Sequence, residues 1–328
     1  MGTTVEMTRY IGRRLALAGL TIIAIVVLNF IILHLAPGDT VDMLAGEFGA
    51  ADPQYLATLR QKFGLDQPLA MQLGHYLWNV AQFDLGYSFR NDMSVGDLIL
   101  SRLPATVLLM LTSTLVAVMI GIPLGVFSAR RVNSFADNLV SGIALVFYAT
   151  PLFWLGLMAI VLFTVKLRLL PSDGMQTIGG DDDLWGTILD IGRHLVLPAS
   201  TLALYHIAIY TRLMRASMLE IYNLDFIRTA RAKGLSARAI AYRHVLPNAV
   251  LPVVTMVGTQ LGALFGGAVL VETVFGWPGM GRLAFDAVFE RDYNLLLGIM
   301  LFASALVVLA NLLTDLVSAW LDPRIKVG

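Results

Sequence analysis

Apolar residues gather into runs of about twenty, the length a helix needs to cross a hydrocarbon core of ~30 Å, and charge collects between them. Leu15 to Ala36 is apolar apart from Thr21, Asn29 and His34, and further runs lie at 104–128, 138–165, 195–212, 247–271 and 294–320. The pattern predicts six membrane-spanning helices. The third run is long and holds Pro151, which predicts a tilt or kink. The fourth is shorter and interrupted by Tyr205, His206 and Tyr210. The first exceeds the apolar region of a cleaved leader, and the only cleavage candidate sets His34 ahead of Ala36 with Pro37 directly after, so it should stay as a helix.

The segments between the runs carry their own signals. Asp52 followed by Pro53, Gly64 after Phe63, and Ser94 with Asp97 before Val95–Arg102 predict short capped helices outside the membrane, an ordered subdomain. Between the fourth and fifth runs, Asp225 should cap Phe226–Lys233, Gly234 should end that helix in a left-handed turn, and Ser236 should cap Ala237–Val245 before Pro247 opens the next span. Arg231 and Lys233 stand at the negative end of the first helix dipole. Such a basic and apolar pair suits a lipid surface or a groove on another protein. The chain divides into 1–36, a cytoplasmic N-terminus and first span; 37–103, an outer subdomain; and 104–328, the core of spans with a cytoplasmic loop at 213–246. The fold class is an all-α integral membrane protein.

Composition agrees with this pattern. Of 328 residues, 57% are hydrophobic and 14% charged, against about 25% charged in a soluble domain, and mean hydropathy is +0.73. The formal charge of zero gives no reason to expect nucleic acid as a partner. Distribution tells more than the total. With the N-terminus inside, fourteen basic residues face the cytoplasm and nine face outward, while five acids lie inside, 17 outside and Asp315 within the last span. This predicts a bacterial-type inner membrane protein with both termini cytoplasmic. Absence of cysteine excludes disulfides and thiolate chemistry, and the five histidines lack metal-binding spacing. Asp181–Asp183 suits a solvated loop better than a cation site.

The stretch Arg228-Thr229-Ala230-Arg231-Ala232-Lys233-Gly234, nine residues, then His244-Val245-Leu246-Pro247 resembles the cytoplasmic signature of ABC importer permeases. Ala230, Gly234, Leu246 and Pro247 fall on that signature, and Arg228, Thr229 and His244 depart from it. LHLAPGDTVDML, LRQKFGLDQPL, FDLGYSF, RLPATVLLM, ETVFGWPGMGRL and NLLTDLVSAWLDPRI resemble the dipeptide, oligopeptide and nickel branch, and specifically the first of its two permease subunits. Thr40 and Phe83 depart from that branch's usual proline and glycine.

The resemblance implies that the chain forms half of a translocation path for di- or oligopeptides, or for nickel chelates, glutathione or oligosaccharides. Implied partners are a second homologous permease, two ATP-binding subunits and an extracytoplasmic substrate-binding protein. Asp225, Arg228, Thr229, Ala230, Arg231, Lys233, Gly234, His244, Leu246 and Pro247 are then expected to couple the chain to an ATPase. No phosphate-cradling GxxxxGK[ST] occurs, so the chain is expected to hold no cofactor, with ATP and Mg on the partners, and to be non-catalytic. A proton-coupled carrier would want ionisable residues near the midplane, where the spans offer only His206 and, close to the cytoplasmic end, Asp315.

Three further groups are candidates. Gly258, Gly262 and Gly266 form a small-residue stripe for tight helix packing or for lining the path, and Gly121 with Gly125 repeats it. Asp315 suits pairing with a cytoplasmic arginine. Phe275, Trp277 and Gly279 mark an apolar, turn-rich tip expected to dock a binding protein, or else to pack on the outer subdomain or sit at the headgroup level as an aromatic anchor.

Overall fold

The computed structural model describes residues 2–35, 61, 66–179 and 183–321. Apart from one short hairpin, the regular structure among the described residues is helical. The chain divides into two units, residues 1–101 with 284–308, and residues 102–283 with 309–326.

In the first unit, α1 (Gly2–Leu35) contains the first predicted span, an apolar stretch over Gly12–Ile32. Helix α2 (Leu69–Ala81) packs on it. Capping signals did not mark α2, yet Leu69, Leu73, Tyr76, Leu77 and Val80 recur at helical spacing behind Pro68. His34 bonds Gln72 at 3.0 Å, and Phe30 lies 5.9 Å from the Tyr76 ring. Strands β1 (Tyr87–Ser88) and β2 (Met93–Ser94) pair antiparallel, with Tyr87 opposite Ser94. The predicted caps at Asp52 and Gly64 lie outside the described residues.

The Ser94–Asp97 capping box is present: the Asp97 amide donates to Ser94 Oγ at 3.1 Å, and Ser94 Oγ donates to Asp97 Oδ2 at 2.6 Å. It opens a longer helix than expected. Helix α3 runs unbroken over Val95–Ala129, so the expected outer helix and second span are one element that carries Pro104 and Pro123 inside it.

The second unit is built around α6 (Leu184–Tyr222), 39 residues long. Helices α4 (Phe135–Ala149), α5 (Leu152–Ala159) and α9 (Leu246–Val274) pack along it. Helix α5 continues as a widened π-helical segment, Ile160–Lys166. Two short helices, α7 (Asp225–Ala232) and α8 (Ala237–Ile240), precede α9, and α10 (Met280–Phe289) and α11 (Tyr293–Leu321) complete the chain.

Four helices among the described residues are long and apolar enough to cross a membrane, or five if α4 and the α5 segment count as one span. Two of the six expected runs differ from a simple apolar span. The third run is a helix pair bent by 102° at Thr150–Pro151, far more than a proline kink. The fourth run lies in α6, which is not among the apolar helices. Several of its polar residues are turned inward: Thr201, His206, Tyr210, Thr211 and Ser217 are buried in protein. A helix sheathed by other helices need not be apolar all round, because lipid does not meet its polar groups.

Candidate functional site

Helix α7 has a sharp division of faces. Ile227 and Ala230 are buried in one core with Met214 and Met218 of α6, Val126 and Ala129 of α3, and Val245, Ala249 and Val253. Leu224, Phe226, Arg228, Thr229, Arg231 and Lys233 are exposed. Asp225 does not cap the helix, contrary to expectation. Leu224 holds the cap position, and Asp225 sits in the first turn, pairing with Arg228 at 3.2 Å. An acid there favours the positive end of the dipole without capping.

Gly234 ends α7 with φ +77°, the left-handed region that only glycine enters without steric cost. Its N–H donates to the Arg231 carbonyl at 2.9 Å. Ser236 accepts the Ala239 amide at 3.2 Å, as its capping signal predicted. The second short helix is not separate from the span that follows. Helix α8 passes through a π-helical turn, Ala241–Val245, directly into α9, and the Leu246 N–H reaches back to the Ala241 carbonyl. Pro247, with no N–H and a ring that crowds the carbonyl four residues back, favours such widening. Leu246 is partly buried and packs on the core while Pro247 and Arg243 face out, with His244 intermediate.

The turn after α9 is built in the opposite way. Phe275 is 2% exposed and Trp277 0%, in a core with Ala105 and Leu109 of α3 and Leu195, Leu197 and Leu202 of α6. Trp277 Nε1 donates to the Ala105 carbonyl at 2.9 Å. Phe275 lies against Gly156, where an added Cβ would stand 3.1 Å from the ring. The expected docking tip is corrected: neither aromatic is available at a surface.

Glu272, which sequence reasoning passed over, organises this turn. Its buried carboxylate accepts from Thr106 Oγ1 at 2.7 Å and from the Arg282 amide at 3.0 Å, while the Met280 amide donates to Thr106 Oγ1 at 2.7 Å. At Gly279 a Cβ would collide with that carboxylate, which explains the glycine. The signal was available in Glu272 followed by three glycines and a proline within nine residues.

The small-residue positions sit at close crossings. A Cβ at Gly258 would collide with Thr314 of α11. Cβ atoms at Gly121 and Gly125 would stand 2.9 and 2.6 Å from the Tyr210 and Met214 Cβ atoms of α6, and Thr211 Oγ1 donates to the Gly121 carbonyl at 3.3 Å. The surroundings of Gly262, Gly266 and Asp315 fall outside the described residues, as do Asp181 and Asp182.

Residues 121–327 match the family described as the binding-protein-dependent transport system inner membrane component, and residues 7–110 match the N-terminal membrane component of such systems. The chain belongs to this family. It is 42% identical over 322 residues to a putative peptide permease protein of Brucella ovis, covering 98% of this chain and 100% of that one. It is 39% identical over 337 residues to the dipeptide transport system permease protein DppB of Escherichia coli K12, covering 98% and 99%. The oligopeptide transport system permease protein AppB of Bacillus subtilis is 39% identical over 322 residues, covering 98% and 100%. In fold the chain is similar to one from the inward-facing MetNI methionine ABC transporter, with a TM-score of 0.56, 19% identity, and 69% and 96% of the two chains covered.

In this inner membrane component a buried ion pair that the sequence did not reveal joins α4 to α6. Asp137 is 1% exposed, accepts Arg215 Nε and a second guanidinium nitrogen at 2.8 Å each, and also takes Ser128 Oγ and the Asn133 amide. Ser134, three residues before it, caps α4. Arg130 reaches the Tyr242 hydroxyl at 3.4 Å. These contacts tie the 130–134 loop to α6 and to the turn preceding α9, and the charged ones are the strong kind of hydrogen bond.

Proposed function

We propose that this chain is the first of two permease subunits in an ATP-driven importer of di- or oligopeptides, and that α7, Gly234 and α8 form its coupling surface for an ATPase subunit. The observation that carries this is the division of α7. Ile227 and Ala230 lock it into the core of the subunit, while Phe226, Arg228, Thr229, Arg231 and Lys233 project outward as a mixed apolar and basic surface. A surface that grips a partner and is fixed to α6 and α9 transmits the partner's movement to the helices that span the membrane. The peptide reading is supported by the names of relatives matched over nearly the whole chain. Nickel chelates, glutathione and oligosaccharides remain the alternative cargoes of this complex type.

The wider reading follows the same family. Two ATP-binding subunits hold ATP and Mg and hydrolyse it, a binding protein delivers peptide from outside, and a second homologous permease completes the path. With α6 counted as a protein-sheathed span and the bent α4–α5 pair as another, the chain crosses six times with both termini cytoplasmic.

The test is Phe226→Asp in the full complex. The variant is expected to lose most of its copurifying ATPase subunits, and transport with them, while its own melting temperature stays within a few degrees of wild type, because Phe226 is outside the core. Retention of the ATPase subunits and of ATP-driven uptake would overturn the coupling reading.

A further inference from the structure

Helices α4 and α6 run antiparallel, since Asp137 pairs with Arg215 at one end and Tyr148 stacks on Tyr205 at the other, rings 5.6 Å apart and 12° from parallel. The first pair adjoins the 130–134 loop and so marks the cytoplasmic end. Tyr148 lies eleven residues further along α4, roughly 16 Å at 1.5 Å per residue, about half of a ~30 Å hydrocarbon core. There α4 stops. Thr150 and Pro151 interrupt the helix, and α5 leaves at 102°. Irregular backbone at that depth is tolerated only where protein covers it or water reaches it.

Pro151 is exposed, and so are Tyr148 and Arg212. The Arg212 guanidinium carbon lies 5.6 Å from the Tyr148 ring centre. No carboxylate among the described residues pairs with Arg212; Asp137 pairs with Arg215, Asp190 with His194 and Asp225 with Arg228. An arginine near the cytoplasmic end of a helix that faced acyl chains would extend toward the near headgroups. Arg212 instead reaches the other way, from a Cα roughly 4.5 Å above that of Arg215 up to the tyrosine pair beside the helix break. That direction fits a water-filled passage.

We infer that Arg212, with the stacked Tyr148 and Tyr205, forms a site within the membrane for the C-terminal carboxylate of a peptide in transit. The inference rests on the peptide-import reading above. A free carboxylate is the one anionic group common to peptides of any sequence, and a guanidinium fork binds it with two parallel hydrogen bonds. The flat face of the tyrosine pair accepts amide planes and varied side chains without selecting among them. One charge contact and one stacking face make a weak site, which a path that must release its cargo requires.

The experiment compares uptake of one dipeptide and its C-terminal amide by the complete reconstituted complex, each peptide first loaded to the same measured saturation on the binding protein. The ratio of the two rates is taken within each preparation, which removes differences in assembly. Wild type is expected to move the acid about tenfold faster, the scale of one lost charge-assisted hydrogen bond. Arg212→Gln should bring the ratio close to one by slowing the acid, Arg212→Lys should restore part of it, and Tyr148→Phe should keep it because the ring remains. A wild-type ratio preserved in Arg212→Gln overturns the site. Equal slowing of both peptides in that variant also overturns it, and assigns Arg212 to a contact with the neighbouring permease. Failure of wild type to import either peptide overturns the peptide reading itself, and this inference with it.

Discussion

Two glycine-bearing turns in the second unit carry similar sequence signals and are used in opposite ways. The Gly234 turn joins α7 to α8 with its glycine in open space, no atom lying within 4 Å of a built Cβ. The turn from Phe275 to Arg282 is crowded: Gly279 stands against the Glu272 carboxylate, a Cβ added at Gly276 would stand 3.2 Å from the Asp173 Cβ, and Trp277 is wholly buried. Gly234 serves the backbone angle alone, Gly279 serves close approach, and Gly276, with φ +58° and neighbours close to a side-chain position, serves both. The flanking charges separate the cases. Around Gly234, Arg228, Arg231, Lys233 and Arg238 are exposed and set an outward surface. Near Gly276 the buried acid Glu272 is consumed internally by Thr106 and the Arg282 amide.

The comparison breaks most easily at the crowded turn. Trp277→Ala should destabilise the protein by about 3–5 kcal/mol, the range for emptying a buried aromatic site, with further loss of the indole hydrogen bond to the Ala105 carbonyl. Glu272→Ala should cost about 1–3 kcal/mol for each amide or hydroxyl left without its acceptor. Thermal denaturation of the purified protein in detergent measures both. A change in melting temperature no larger than that of an exposed substitution, such as Trp185→Ala, would show that the turn does not depend on these contacts.

The open turn predicts a smaller effect of a different kind. Because nothing crowds Gly234, Gly234→Leu meets only backbone strain of roughly 1 kcal/mol at its positive φ, with no wedge between α7 and α8. Gly234→Ala and Gly234→Leu should therefore melt alike, and both should loosen coupling, seen as ATPase activity that responds less to loaded binding protein. A much lower stability for leucine than for alanine would show that the turn is crowded after all.

Local chemistry was legible where it depends on neighbours in sequence. The Ser94–Asp97 box, the Ser236 cap and the left-handed Gly234 all follow from residue types at fixed spacing, and the structure carries each. Long-range partners were not legible. Phe275 and Trp277 suggested a surface because turns usually lie on one, and only their pairing with Ala105 and Gly156, more than a hundred residues away, buries them. The pairing of Asp137 with Arg215 spans 78 residues. The fourth span was doubtful for a physical reason. A helix enclosed by α3, α4 and α9 needs no apolar circumference, so hydropathy loses it.

The smallest effect expected concerns the loop between α5 and α6, which touches the crowded turn. The Gly174 amide donates to the Phe275 carbonyl at 2.9 Å, and Thr177 holds Asp190 at the start of α6 through its amide at 2.6 Å and its hydroxyl at 2.8 Å. The Thr177 amide, and next its hydroxyl, keep the Asp190 carboxyl below the ordinary aspartate range, opposed by some desolvation. A carboxyl depressed in the folded state contributes stability that is present above its unfolded pKa, about 3.9, and lost as pH falls through the lower folded value. Protection of the Thr177 amide against hydrogen exchange should accordingly hold at neutral pH and fade below about pH 4, the ordinary aspartate range. Asp190→Asn should show the faded protection already at neutral pH, because its amide oxygen is a weaker acceptor than a carboxylate. The Trp277 core should be unchanged in that variant, since Asp190 takes no part in it. Protection that persists to acid pH in wild type would show that the loop is held by the Gly174–Phe275 bond alone.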